Sequence, residues 1–141
     1  MSLSQLIYTS TCVDKMTPQL AYSVSLKSVT VCQQLGLTGR VFANDIAAFA
    51  MTEGPTDLVK QYFLAVQADP LVETILLHVE REIEEREFED YAVLLNLKES
   101  FDESPHIRKL TDQTLEEALP AKPSSKLRIM VEVFKQEVLA E

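Results

Sequence analysis

The side chains able to do chemistry are few, and most of them stand alone. Cys12 and Cys32 match no metal-ligand spacing and are too few for a disulfide framework, so they read as free, inert thiols. His78 and His106 have no neighbouring ligands of metal-site spacing, and zinc is not expected. Glu53, beside Gly54, has the chemical type of a general acid. A carboxylate near a helix start usually meets orphan N–H groups instead, and that is the expectation here. No Ser/His/Asp set, phosphate-cradling glycine loop or paired carboxylates stand out from the pattern, so an enzyme is not expected. What remains is Tyr8 with Ser10, two polar tips on one face of the strand-like run Leu6-Ile7-Tyr8-Thr9-Ser10. Tyr8 has two open readings: a strand aromatic whose hydroxyl meets a backbone group or a water, or a ligand contact.

These side chains must be positioned by elements whose boundaries are well punctuated. All three glycines, Gly36, Gly39 and Gly54, fall between residues 36 and 54 and bracket two short β segments, Arg40 to Phe42 and Ile46 to Met51, joined by Asn44-Asp45. Before them, Thr17-Pro18 supplies an N-cap and a proline at the first helical position. Leu20, Val24, Val31 and Leu35 follow at helical spacing until Gly36. After them, Gly54-Pro55-Thr56-Asp57 opens a second helix with an apolar face of Leu58, Val59, Tyr62, Phe63 and Val66, ended by Asp69-Pro70.

Residues 72 to 83 alternate as a strand with Ile75, Leu77, Val79 and Ile83 on its protected face, and the mixed-sign run Arg81 to Glu87 reads as its solvated end. Phe88 to Leu97 is a further strand with Tyr91, Val93 and Leu95 on one face. The order β-α-β-β-α-β-β predicts an α+β fold, a ferredoxin-like split β-α-β-β-α-β sheet with one added strand and two helices covering one face. Residues 107–119 and 127–139 read as two C-terminal helices joined through residues 120–125, the last with a stripe of Leu127, Met130, Val131, Phe134 and Val138. Residues 1–97 then form the domain, and 98–141 a helical extension packed on it.

Composition agrees with one folded unit: 141 residues, 46% hydrophobic and 25% charged. A formal charge of -9 repels phosphate backbones and anionic lipid heads, so neither nucleic acid nor a membrane is an expected partner. With no bilayer-length apolar run and no basic, apolar start at Met1 to Ser10, a cytoplasmic location is expected.

The order and spacing of several pieces carry a family resemblance. Leu6-Ile7-Tyr8-Thr9-Ser10, Leu37-Thr38-Gly39 after the first helix, Phe49 with Glu53-Gly54-Pro55, and Arg86-Glu87-Phe88 before an aromatic together resemble the BLUF family, blue-light sensors that use flavin. The similarity spans residues 3 to 97, and the tail resembles that of short, single-domain members. It implies the same split βαβ sheet with a flavin ring held between the two helices, and a relay from a strand-one tyrosine through a strand-three glutamine whose amide rearranges in light.

Carried over by position, the resemblance assigns the flavin site to Tyr8, Ser10, Cys32, Ala50, Asp69, Tyr91 and Val93. Tyr8 and Ser10 keep their types. The glutamine falls on Ala50, whose methyl has neither donor nor acceptor, and the helix-one asparagine falls on Cys32, beside Val31 at another polar position. The helix-two arginine falls on Ala65, and of an Asp-x-Arg-His motif only Asp69 remains, followed by Pro70-Leu71-Val72. The family's tryptophan and methionine fall on Tyr91 and Val93. Unpartnered buried polar groups at Ala50, Cys32 and Ala65 cost roughly 3–9 kcal/mol together, which weakens FAD about a hundredfold to a millionfold. The expectation is a BLUF-like regulatory or protein-interaction module without photochemistry and with FAD weakened or lost. By resemblance it forms a homo-oligomer and contacts an unidentified protein through an open sheet face and the C-terminal helices. Two alternatives stay open: a working photoreceptor with a rebuilt donor at Thr52 or Thr38, or a pocket for another apolar ligand with Tyr8 and Ser10 as anchors.

Overall fold

The computed structural model describes residues 2–119 and 128–134. Its elements, in chain order, are β1 (Leu3–Cys12), α1 (Pro18–Leu35), β2 (Thr38–Ala43), β3 (Ala47–Pro55), α2 (Thr56–Gln67), β4 (Val72–Ile83), β5 (Tyr91–Leu95), β6 (Ile107–Lys109) and α3 (Asp112–Ala118). Residues 128–134 are also helical. The strands form one six-stranded sheet in the order β4-β1-β3-β2-β5-β6. β1 pairs antiparallel with β3 and β4, and β2 with β3, while β2–β5 and β5–β6 are parallel. This is the expected α+β split βαβ arrangement, with two added strands instead of one.

Local chemistry sets the boundaries. Thr17 caps α1 by accepting from the Leu20 N–H at 3.2 Å, Pro18 follows, and Gly36 ends the helix in the left-handed region at φ 72°. Asn44 Oδ1 accepts from the Ile46 and Ala47 N–H groups at 2.9 and 2.7 Å, closing the turn between β2 and β3. At Gly39 a Cβ would collide with the Met51 carbonyl of the neighbouring strand, so only glycine lets β2 and β3 approach so closely there.

Three expectations are corrected. Residues 107–119 are not one helix: Ile107–Lys109 pairs with Val93–Leu95, and the helix begins only at Asp112. The reason is the Thr111 capping box, in which Thr111 and Thr114 satisfy each other's backbone N–H groups and fix the first turn there. The buried face of α1 is Ala21, Ser25, Val29 and Cys32, while Leu20 is exposed. Small residues occupy the sheet-facing stripe, with Val24 and Val31 beside it lining a cavity. Along β4 a bulge opposite Ile7 and Tyr8 breaks the alternation, so the four expected face-mates are split: Ile75 and Leu77 pair with Ser10 and Tyr8, Val79 and Ile83 with Ile7 and Leu3, and Leu77 is 42% exposed on this edge strand.

The sheet is covered on both faces. Leu6, Tyr8, Ala50, Tyr91 and Val93 join Val29, Cys32, Val59 and Tyr62 of α1 and α2 in one core. On the other face Ile7, Phe42, Phe49, Met51 and Leu94 pack against Leu110, Leu115 and Leu119 and against Val131 and Phe134 of the 128–134 helix. Phe49 and Phe134 have ring centroids 5.2 Å apart. The face expected to stand open for a partner is therefore closed by the chain itself. Of the predicted C-terminal apolar stripe, Met130, Val131 and Phe134 are described and pack here, whereas Leu127 and Val138, like the 120–125 joint, lie outside the described residues. Among the described residues no helix is long and apolar enough to cross a membrane.

Candidate functional site

A cavity of about 430 Å³ opens between α1, α2 and the sheet, within the range of small-molecule sites. Six of the seven site residues assigned from sequence line it: Tyr8, Ser10, Ala50, Asp69, Tyr91 and Val93. The seventh, Cys32, is fully buried behind the wall. Val31, Ala65, Leu71 and Val72, the other positions onto which the resemblance carries polar residues, line the same cavity.

Its inner end is built from phenols. Tyr8 from β1, Tyr62 from α2 and Tyr91 from β5 are all buried. The Cys32 thiol interacts with the Tyr62 and Tyr91 hydroxyls, and Ser28 with Tyr62. The Tyr8 ring stands edge-on to Phe63 with centroids 5.1 Å apart, which fixes its orientation. Burial pushes all three phenols above their ordinary range, and each is raised further by the neighbouring ionisable groups. Burial likewise pushes the Cys32 thiol up to about 11, although its contacts to Tyr62 and Tyr91 act the other way. The cluster is therefore uncharged at neutral pH, and Cys32 is a poor nucleophile because it is not a thiolate. Cys12 at the mouth is also free; its pKa is raised by burial first and then by Asp69 and Asp45.

Tyr8 and Ala50 are partners in the β1–β3 register, so the residue across from the tyrosine offers only a methyl. One polar neighbour of Tyr8 is Thr52. Its hydroxyl lies close enough to Tyr8 to lower the phenol pKa somewhat, yet it has no hydrogen bond of good geometry and is fully buried. Thr38 is committed elsewhere: it donates to Glu53 at 3.1 Å and receives Arg86 at 3.2 Å.

The wall carries one cation, Lys27, and one anion, Asp69. Asp69 Oδ1 accepts from the Leu71 N–H at 2.9 Å, so this carboxylate closes the turn after α2. At the mouth Val13 donates its N–H to the Leu71 carbonyl at 3.0 Å, and both side chains are exposed.

Glu53 lies outside the cavity, and the expectation that it meets a helix start is corrected. It accepts from the Phe88 N–H at 2.7 Å, from Thr38 and from Gln5 Nε2 at 3.3 Å. Gln5 Oε1 in turn accepts from Arg81 at 2.8 Å, and Arg81 pairs with Glu87 at 2.7 Å. The group is a strut that fastens the β4–β5 connection to the sheet. His78 and His106 meet Thr9 and Asp90, at 2.8 and 3.5 Å.

Sequence reasoning placed Tyr62 in the core without a site role and missed its convergence with Cys32 and Tyr91. A tyrosine on the cavity side of an otherwise hydrocarbon helix face was the available signal, since a buried hydroxyl requires a partner.

The cavity lies beneath the paired helices of an α+β split βαβ sheet. The model of the family described as sensors of blue-light using FAD matches residues 3–93, and the chain belongs to this BLUF family. Among solved structures, the BLUF protein BlrP1 superposes with a TM-score of 0.69 at 16% identity, covering 98% of this chain and 90% of that one. The dark-state structure of BlrB, a BLUF protein, gives 0.57 at 25% identity over 69% and 74% of the two chains. The photo-activated state of BlsA gives 0.59 at 20% identity over 70% and 71%. No curated protein matches the sequence.

Proposed function

We propose that this BLUF-family chain is a non-enzymatic, cytoplasmic regulatory module that acts through protein contacts and has given up the flavin light switch. The observation that carries the reading is the Tyr8–Ala50 pair: the tyrosine faces a methyl, which can neither accept its proton nor rearrange. The rest of the donor set fits flavin no better. Cys32 is turned into the tyrosine cluster, and Ala65, Leu71 and Val72 leave Lys27 as the only cation in the wall among the described residues for a dinucleotide carrying two phosphates.

With the second sheet face already covered, protein contacts fall to the outer surface. Ile129 and Val133, one turn apart on the helical segment 128–134, are 65% and 55% exposed and support an interface with a second copy or another protein. Size measurement at several concentrations, repeated with Ile129→Ser, tests this part: a species larger than the monomer that dissociates in the variant supports it, and an invariant monomer opposes it.

A second reading, a photoreceptor with a rebuilt relay, is favoured by one observation: the buried Thr52 hydroxyl beside Tyr8 without a hydrogen-bond partner. Thr38, bound to Glu53, does not support it. A red shift of a flavin absorption band on illumination, lost in Thr52→Val, is the result that would select it.

A further inference from the structure

We propose that the cavity between α1 and α2 takes an uncharged, predominantly apolar small molecule, a compact ring system whose one polar edge meets the tyrosine hydroxyls at the inner end. This rests on the reading above that flavin is not resident.

Three features choose the chemical class. At about 430 Å³ the space suits a compact organic ligand, and alanines at 43, 47, 48, 50 and 65 keep it wide where longer side chains would close it. Its wall has little net charge: Tyr8, Tyr62 and Tyr91 are uncharged phenols, and among the described residues the one anion, Asp69, which accepts from the Leu71 N–H, is offset by the one cation, Lys27. An anionic ligand would leave most of its charge desolvated without a partner, whereas a neutral one incurs no such cost.

Part of the mouth is apolar as well. Met16, Ala65 and Val72 line it, and Val13 and Leu71 stand exposed beside them at 53% and 39%. Exposed aliphatic groups continuous with an apolar interior favour the entry of an apolar molecule from water. The phenols give such a molecule an orientation, because a carbonyl or hydroxyl on one edge finds clustered donors at the Tyr8 and Tyr91 end, whereas Ser10, Ser28 and Asn44 offer single polar groups elsewhere on the wall.

The test is a pair of titrations on the full chain, one with Nile red, a neutral apolar fluorophore, and one with FAD. The proposal expects a saturable rise in Nile red emission at one site per chain, little response to FAD, and affinity lowered about tenfold or more by Ala65→Trp, which plugs the mouth. Ala65 is on an exposed part of α2, so that variant is expected to fold, and circular dichroism verifies it. Ile129→Ser controls for dye on the outer patch and is expected to leave the affinity unchanged. Absence of saturable dye binding, or binding lost in Ile129→Ser and kept in Ala65→Trp, overturns the proposal and leaves the regulatory reading intact. Tight FAD binding that displaces the dye overturns both.

Discussion

Tyr8 and Ala50 stand opposite each other in the antiparallel β1–β3 pair, and both line the cavity beneath α1 and α2. Placing an amide at this position asks directly whether its absence limits flavin binding. Ala50→Gln combined with Cys32→Asn is expected to raise FAD affinity, by roughly tenfold for each amide that finds the ring edge. Isothermal titration of the double variant against the parent measures it. No gain at all would mean that these two positions do not face the ring.

Glu53 makes a stability prediction with a pH signature. Glu53→Ala strands the Phe88 N–H and the Thr38 hydroxyl and is expected to cost about 2–4 kcal/mol in urea unfolding. Burial raises the Glu53 pKa above its ordinary 4.5, with the hydrogen bonds from Phe88, Glu87, Thr38 and Gln5 acting against that rise. The folded state therefore holds this proton to higher pH than the unfolded chain does. The resulting stability is fully present below pH 4.5 and is lost as pH rises through the folded-state value. Glu53→Gln keeps an acceptor and removes the titration, so its stability should change less than the parent's across that window. Equal slopes for the two proteins would contradict the assignment.

Phe134 tests the cover on the second face of the sheet. Its ring meets Phe49 at 5.2 Å, and Phe134→Ala is expected to destabilise by roughly 3–5 kcal/mol and to expose Phe49 and Met51 to dye and protease. A loss under about 0.5 kcal/mol, the range of neutral surface changes, would show that this helix contributes little to the core.

Much of the split βαβ core was legible because its signals are local. Thr17-Pro18 and Gly36 bound α1, Asn44 turns the hairpin, and Val72–Ile83 alternates clearly enough to give the β4 limits. What escaped depended on partners far along the chain. Ile107 reads as helical by its neighbours, but the edge of β5 claims it as a strand. The bulge in β4 is set by pairing with β1, and it puts Ile75 and Val79 on opposite faces where period two assigns them to one. The sheet-facing stripe of α1 is made of Ala21, Ser25 and Cys32, which hydropathy ranks below the flanking valines and leucines. At the site, the family resemblance pointed to positions that periodicity alone would have left as core, and of which six of seven line the cavity. It did not reveal the contacts among Cys32, Tyr62 and Tyr91, because three residues from three elements carry no common spacing.

The central claim is that this BLUF chain has no working flavin switch, and one spectrum addresses it directly. The protein is purified, incubated with excess FAD, freed of unbound flavin and scanned before and after blue illumination. The account predicts no retained flavin band in the near-ultraviolet and blue, and no change on illumination. A retained band that moves to longer wavelength in light and relaxes in the dark would contradict it.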